Sequence, residues 1–319
     1  MSAYRALAPA KVNLGLFLGP VRESDGRHEL ASVMQSISLA DELLLGPGVA
    51  GASEDEVVCP AVAGENLAAA ALSAFRAGTG WQAPPLRLGI EKRIPVAAGL
   101  GGGSADAAAA LRLAMRASGL GEQGLLYELA GQLGADVPAQ VWPGRWLAGG
   151  AGELLQELPP PGASLGLLIL PVVGELSTAA VYAEADRLGL AREQDELEGL
   201  LVQMRDALAH EQPLPTDERL LANDLQAAAI SLCPQIETAL EEALAAGAAK
   251  AFVSGSGPTV VGLFPAGADP PADGLALAER AGEKLKDRQP GPLAARPVGA
   301  AFARVVRHNP AGKAERSTT

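Results

Sequence analysis

The chain has 319 residues, 48% of them hydrophobic and only 3% aromatic, with a formal net charge of −12. That length and apolar content favour two domains with cores of Ala, Leu and Val over one. The acidic balance argues against a nucleic-acid partner, and no run of about twenty apolar residues offers a membrane span.

In chain order, residues 3–18 alternate loosely around Lys-Val-Asn and predict a strand. A polar turn (Arg22 to His28) and an apolar stretch to Leu39 follow. LRLGIE (86–91) alternates as a half-buried strand should. A glycine loop at 99–103 runs into a helix expected to start on Ser104 as N-cap, with Asp106 in its first turn and Gly119 as its stop. A second helix is expected from Glu122 to Leu133, ending at Gly134. PPPGA (159–163) is the sharpest change of composition, and the domain boundary is placed there: 1–160, then 161–310, then a loose tail at 311–319. LGLLILP (165–171) predicts a buried strand, and Ser177 caps a helix to Leu188. Residues 191–218 read as a mobile, acidic helical excursion. A helix over 235–246, a strand–glycine turn–strand over 251–264 and a final strand over 298–306 complete the chain.

Cys59 and Cys233 are far apart in sequence and read as buried thiols, which fits a reducing cytoplasm. The three histidines are scattered, so no protein metal site is expected. Residues 1–20 lack the charged, apolar and small-residue regions of a signal peptide.

The most informative segment is IPVAAGLGGGSADAAAAL, 94–111. Glycines let a ligand approach the backbone, and the following helix points free N–H groups and its positive end at the loop. This suits a polyphosphate; a flexible turn before a capped helix is the plainer alternative. No Walker A loop and no dinucleotide fingerprint occurs, and no G-x-S-x-G elbow supports a serine hydrolase.

Pro95 to Ala108, together with PAKVNLGL (9–16) and VSGSGPTVVGLF (253–264), resembles the three ordered motifs of the GHMP kinase superfamily. DGRHELASVMQSISLADEL (25–43), ENLA (65–68), GADVP (134–138), STAAVY (177–182) and ND (223–224) make the chain most similar to the branch acting on a cytidine diphosphate-linked methylerythritol in the non-mevalonate isoprenoid pathway. The resemblance implies an α+β, two-domain GHMP kinase fold: an N-terminal ATP-binding domain with a mixed sheet, and a C-terminal ferredoxin-like domain. It implies ATP and Mg²⁺ as cofactors and a small-molecule substrate; charge, hydropathy and cysteine usage are read as a cytoplasmic protein without nucleic-acid or membrane partners, and monomer or homodimer is left open.

By the same resemblance, Asp136 is the base and Lys11 its companion. From the residues alone, Asp136 reads first as a helix N-cap, and Lys11 as a lysine in an apolar strand, costly to bury unpaired. Asn13 shares the strand face of Lys11. The ATP side comprises Pro95, Val96, Ala97, Ala98, Gly99, Leu100, Gly101, Gly102, Gly103, Ser104 and Asn66. The substrate side comprises Asn13, Arg27, His28, Thr178 and Tyr182, with His28 on the cytosine edge and Tyr182 stacked on the base. Lys92 and Arg93 read as solvated charges at a strand end. Two departures stand out: Arg27 occupies the place of a stacking tyrosine, and Ala139 and Gln140 replace an aromatic pair. Another GHMP kinase, such as a homoserine kinase, or a non-catalytic nucleotide-binding relative remains the alternative.

Overall fold

The computed structural model describes residues 2–309 except 63, 65, 162–163, 175, 212, 216 and 269–270. The expected tail at 311–319 lies outside the described residues, as does part of the expected break at 159–163.

Two long strands organise the first half. β1 (Tyr4–Val21) and β2 (His28–Pro47) pair antiparallel along their length, with register shifts at Pro9/Lys11, Asn13/Gly15 and Leu18/Val21. Both are buried almost continuously, because structure covers both faces of this sheet. After β3 (Glu56–Val58), α1 (Leu67–Thr79) starts on Asn66, whose side chain accepts from the Ala68 amide at 2.9 Å. β4 (Leu86–Glu91) pairs with the second half of β2 and, in parallel, with β3.

The helices α2 (Gly102–Ser118), α3 (Gln123–Leu133) and the short α4 (Val137–Val141) follow, and then β5 (Arg145–Gly149) and β6 (Leu154–Leu158). β5 returns to the first half of β2 and carries β6 on its outer edge, and the pair Val306–Arg307 flanks β1. α2 buries Ala105 and Ala107 to Ala110, whose small side chains let it lie close against α1 and the sheet.

The second sheet is antiparallel. β7 (Leu165–Leu170) is followed by α5 (Thr178–Leu188), α6 (Gln194–Ala207), α7 (Gln226–Leu232) and α8 (Gln235–Ala245), then β8 (Lys250–Val253), β9 (Val260–Pro265), α9 (Gly274–Lys284) and the short strand Leu293–Ala295. Numbered within this sheet, the strands lie in the order fourth, first, third, second. That order is ferredoxin-like, with additional helices between its first two strands. The two sheets share a core in which Val12 and Phe17 of β1 meet Leu167 of β7, Val261 of β9 and Met204 of α6.

Three expectations are corrected. Within 191–218, the stretch 194–207 is not an excursion: Leu197 and Met204 of α6 are buried, recurring at helical spacing beneath an acidic surface. The final strand over 298–306 is instead the strand 293–295, a 3₁₀ turn over 300–303 and the pair 306–307, because Gly299 and the alanines after it turn rather than extend. α2 begins at Gly102, not on Ser104. Gly101 takes a left-handed φ of 68° as its N-cap, so the helix starts earlier and Ser104 falls in its first turn.

Candidate active site

The glycine loop descends from β4 into α2. The first bond of the helix ladder runs from the Ala105 amide to the Gly101 carbonyl at 2.9 Å, so the amides of Gly102, Gly103 and Ser104 precede it and have no intrahelical acceptor. Residues 95–103, with Asn66 and Lys92, border a cavity of about 370 Å³. Gly99, Gly101 and Ser104 also border a second, larger cleft of about 960 Å³. The loop is therefore the shared wall between two compartments.

Lys11 stands in the larger cleft. The bulges on either side of Lys11–Asn13 re-aim this stretch of β1, and the Lys11 amide leaves the ladder to donate to Leu100 of the glycine loop at 2.9 Å. Its ammonium is nearly buried, 2.7 Å from Asn13 Oδ1 and 3.2 Å from Asp136 Oδ2. Asp136 is the N-cap residue of α4, yet its side chain makes no capping bond. Its carboxylate faces Lys11 instead, which decides against the plain capping reading. Pro138, at the second helical position, needs no partner for a missing N–H.

The other end of the cleft gathers Arg27, His28, Thr178 and Tyr182. His28 is buried, with Nδ1 2.8 Å from the Gly19 carbonyl and Nε2 2.9 Å from Asp186 Oδ1. The Tyr182 ring is tilted 46° to the imidazole at 5.6 Å. Burial, and then the nearby Asp136 charge, push the Tyr182 phenol up. Arg27 is exposed, and its guanidinium donates to the Ala151 carbonyl at 2.7 Å. The Thr178 hydroxyl meets that of Ser256 at 3.1 Å, linking α5 to the 254–257 glycine turn. That turn reaches the first glycine loop through Ser254, whose hydroxyl lies 3.3 Å from the Gly99 carbonyl.

Lys11, Asn13, Asp136, Arg27, His28, Thr178 and Tyr182 thus share one cleft, whereas Asn66 and Pro95 to Ala98 lie in the smaller cavity beyond the loop. The expectation for Lys92 is corrected. Its ammonium is buried, paired with Asp41 and 2.8 Å from Asp106 Oδ2. Asp41 also accepts from the Arg93 and Ile94 amides, fixing the chain as it enters the loop. Asp106 lies within α2 rather than in its first turn. Arg93 does sit at the surface.

Three further contributors were given no role from the sequence, although Asn223 lies in the ND segment and Gln140 in the departure after GADVP. Asn223 donates to the Val253 and Gly255 carbonyls, each at 2.7 Å, and holds the second glycine turn. Arg112, fully buried, donates to Leu7 on β1 and to Gln140 and Val141 at the end of α4. It ties together the elements that carry Lys11 and Asp136, and burial pushes its guanidinium down to about 9. Gln140, one of the two departures, is buried beside it.

Residues 66–144 match the model of the GHMP kinases N terminal domain, and residues 204–289 that of the GHMP kinases C terminal. A 4-diphosphocytidyl-2-C-methyl-D-erythritol kinase of Anaeromyxobacter sp. (strain K) is 39% identical over 310 residues, covering 95% of this chain and 91% of its own. One from Streptomyces coelicolor is 42% identical over 268 residues, covering 80% and 85%. The crystal structure of a 4-(cytidine 5'-diphospho)-2C-methyl-D-erythritol kinase superposes with a TM-score of 0.70 at 32% identity, over 92% of this chain and 99% of that one. A homoserine kinase from Cytophaga hutchinsonii superposes at 0.65 with 18% identity, over 96% and 98%. At that identity the likeness is one of fold.

Proposed function

Since the chain belongs to the 4-diphosphocytidyl-2-C-methyl-D-erythritol kinases, within the GHMP kinases, we propose that it transfers the γ-phosphoryl group of ATP to the 2-hydroxyl of 4-diphosphocytidyl-2-C-methyl-D-erythritol. The product pair is ADP and the 2-phosphate, an intermediate of the methylerythritol phosphate isoprenoid pathway. The observation that carries this reading is the Lys11–Asp136 pair, 3.2 Å apart, in a cleft walled by the same glycine loop that borders the smaller cavity.

The geometry supports a division of labour. ATP occupies the smaller cavity with Asn66 and Pro95 to Ala98 on its nucleoside side, and its phosphates meet the free amides at the start of α2. The cytidine end lies between Tyr182 and Arg27, with His28 and Asp186 at its edge. The polyol then extends toward Asp136, with Thr178 alongside.

Phosphoryl transfer rests on placement and charge more than on covalent chemistry. Asp136 takes the proton of the substrate hydroxyl as its oxygen bonds to the γ-phosphorus and the bond to the ADP oxygen breaks. Lys11 holds that carboxylate in place and offers positive charge to the transferring group.

Among the described residues no three His, Cys, Asp or Glu side chains gather as a metal cage. Mg²⁺ commonly keeps its waters and binds through substrate phosphates with one or two protein oxygens. The Ser104 hydroxyl and the Asp136 carboxylate, both on the larger cleft, fit that limited role. When bound, the ion neutralises charge on the β- and γ-phosphates.

An ADP-release assay with the cytidine substrate, homoserine and mevalonate tests the reading. Release with the cytidine substrate alone is expected. Release with homoserine or mevalonate instead, or with none of the three, overturns it.

A further inference from the structure

The polar chain behind Lys11 has only one self-consistent set of hydrogen-bond directions. At one end stands the ammonium of Lys11, which can only donate. At the other stands the carbonyl of Gly15, which can only accept and lies beside the β1 bulge between Asn13 and Gly15. Between them, Lys11 Nζ lies 2.7 Å from Asn13 Oδ1, Asn13 Nδ2 lies 2.7 Å from Ser32 Oγ, and Ser32 Oγ lies 2.8 Å from the Gly15 carbonyl. Asn13 and Ser32 are both buried, at 4% and 1% exposure, in the wall of the larger cleft.

Lys11 requires the oxygen of the Asn13 amide. The nitrogen must then face Ser32, and Ser32 must accept there and send its own proton to Gly15. Reversing the amide would set Nδ2 against Nζ, donor against donor.

We infer that Ser32 is a positioning residue for phosphoryl transfer: through Asn13 it holds the Lys11 ammonium on Asp136. The inference rests on the proposed roles of Lys11 and Asp136. With two of its N–H groups directed to Asn13 and Asp136, Lys11 keeps a third for the transferring phosphoryl group. Asn13 likewise keeps one N–H, so it offers the cleft a donor and suits an acceptor oxygen on the substrate.

Ser32→Ala removes the acceptor that orients Asn13. It is expected to lower kcat by roughly tenfold, the scale on which one lost buried hydrogen bond acts, with KM for ATP unchanged. A double-mutant cycle separates this from a structural role. In an Asn13→Ala background no amide remains to orient, while the Ser32–Gly15 bond persists. Adding Ser32→Ala there should change kcat by less than about twofold.

Equal losses in both backgrounds would show Ser32 acting through Gly15 and overturn the inference, as would a silent Ser32→Ala in the otherwise unaltered protein. Should Ser32→Ala fail to fold, Ser32→Thr keeps the hydroxyl and is expected to retain kcat within about threefold; a tenfold loss there would sink the idea. Lys11→Met, measured in parallel, keeps the two claims apart. Activity surviving Lys11→Met breaks the underlying reading, whereas a silent Ser32→Ala with an inactive Lys11→Met breaks only this one.

Discussion

Lys92 Nζ lies 2.8 Å from Asp106 Oδ2, joining the segment that leads from β4 into the first glycine loop to the helix that leaves it. Both side chains are buried, and Asp41 completes the cluster from β2. Removing the ammonium would leave two buried acids without the cation that pairs them. Lys92→Met is therefore expected to cost about 3–5 kcal/mol of stability, read from urea unfolding. Burial pushes the Asp106 carboxyl up to about 7, against the pull of Lys92 and from an ordinary value of 3.8. The folded state then holds a proton that the unfolded chain has lost. This contribution is complete below 3.8 and disappears as pH rises through 7. The urea midpoint should fall between pH 5 and pH 8, and Asp106→Asn, which does not titrate, should flatten that fall. An equal fall in both proteins would contradict the assignment.

Asp136→Asn keeps the shape of the side chain and removes its basicity. kcat should drop by roughly 10²–10⁴-fold, the range of general-base contributions, with both KM values nearly unchanged. Because the Asp136 side chain is 39% exposed, the melting temperature should move little. Steady-state ADP release checks both substrates, and a loss below tenfold would remove Asp136 from the role of base.

Much of this site was readable because its residues sit where their chemistry is out of place. Lys11 is a cation in an apolar strand, and Asp136 follows a helix stop. The same test would have found Asp41, an acid fully buried in β2. It would also have found Lys92: Leu86, Leu88 and Ile90 point inward, and position 92 continues that period. The start of α2 was misjudged because a capping serine is a common signal, whereas a helix entered through a left-handed glycine is not marked by composition. The structural roles of Asn223, Arg112 and Ser32 were hidden for another reason, though Asn223 and Ser32 lie in segments that carry the resemblance. Their partners are backbone carbonyls or residues 19 or more positions away, and no local pattern encodes such contacts.

Two glycines of the loop should fail in different ways. At Gly99, with φ +72°, an added Cβ would lie 2.6 Å from the Ser254 carbonyl oxygen and 2.7 Å from that of Gly257. Both are backbone atoms, so the loop and the second glycine turn must separate. At Gly101 the Cβ would meet the Lys11 side chain, 2.9 Å from Cγ and 3.2 Å from Cε, which can swing away from Asp136. Each alanine also carries left-handed strain of about 1–2 kcal/mol. Gly99→Ala is expected to raise KM for ATP by roughly tenfold, and Gly101→Ala mainly to lower kcat by a similar factor. Identical kinetic changes in the two variants would argue against separate roles.

Arg27 is the place where this chain departs from the stacking tyrosine that the resemblance implies. Its guanidinium is held by the Ala151 carbonyl, and its amide donates to Asp25, which in turn pairs with Arg22. Arg22 also bonds to Glu153, so the turn is braced around Arg27. A guanidinium so placed can act as a flat face for the base or as a charge for the diphosphate. Substitution separates the two. Arg27→Ala should raise KM for the cytidine substrate by about tenfold with kcat within about twofold, since a desolvated cation–π contact contributes up to about 2 kcal/mol. Arg27→Lys keeps the charge and loses the plane, while Arg27→Tyr does the reverse. If stacking dominates, tyrosine restores KM and lysine does not, and raising salt from about 0.05 to 0.5 M changes the Arg27 contribution little, because screening acts on charge. If charge dominates, lysine restores KM and salt erodes the effect. An unchanged KM in Arg27→Ala would exclude both roles.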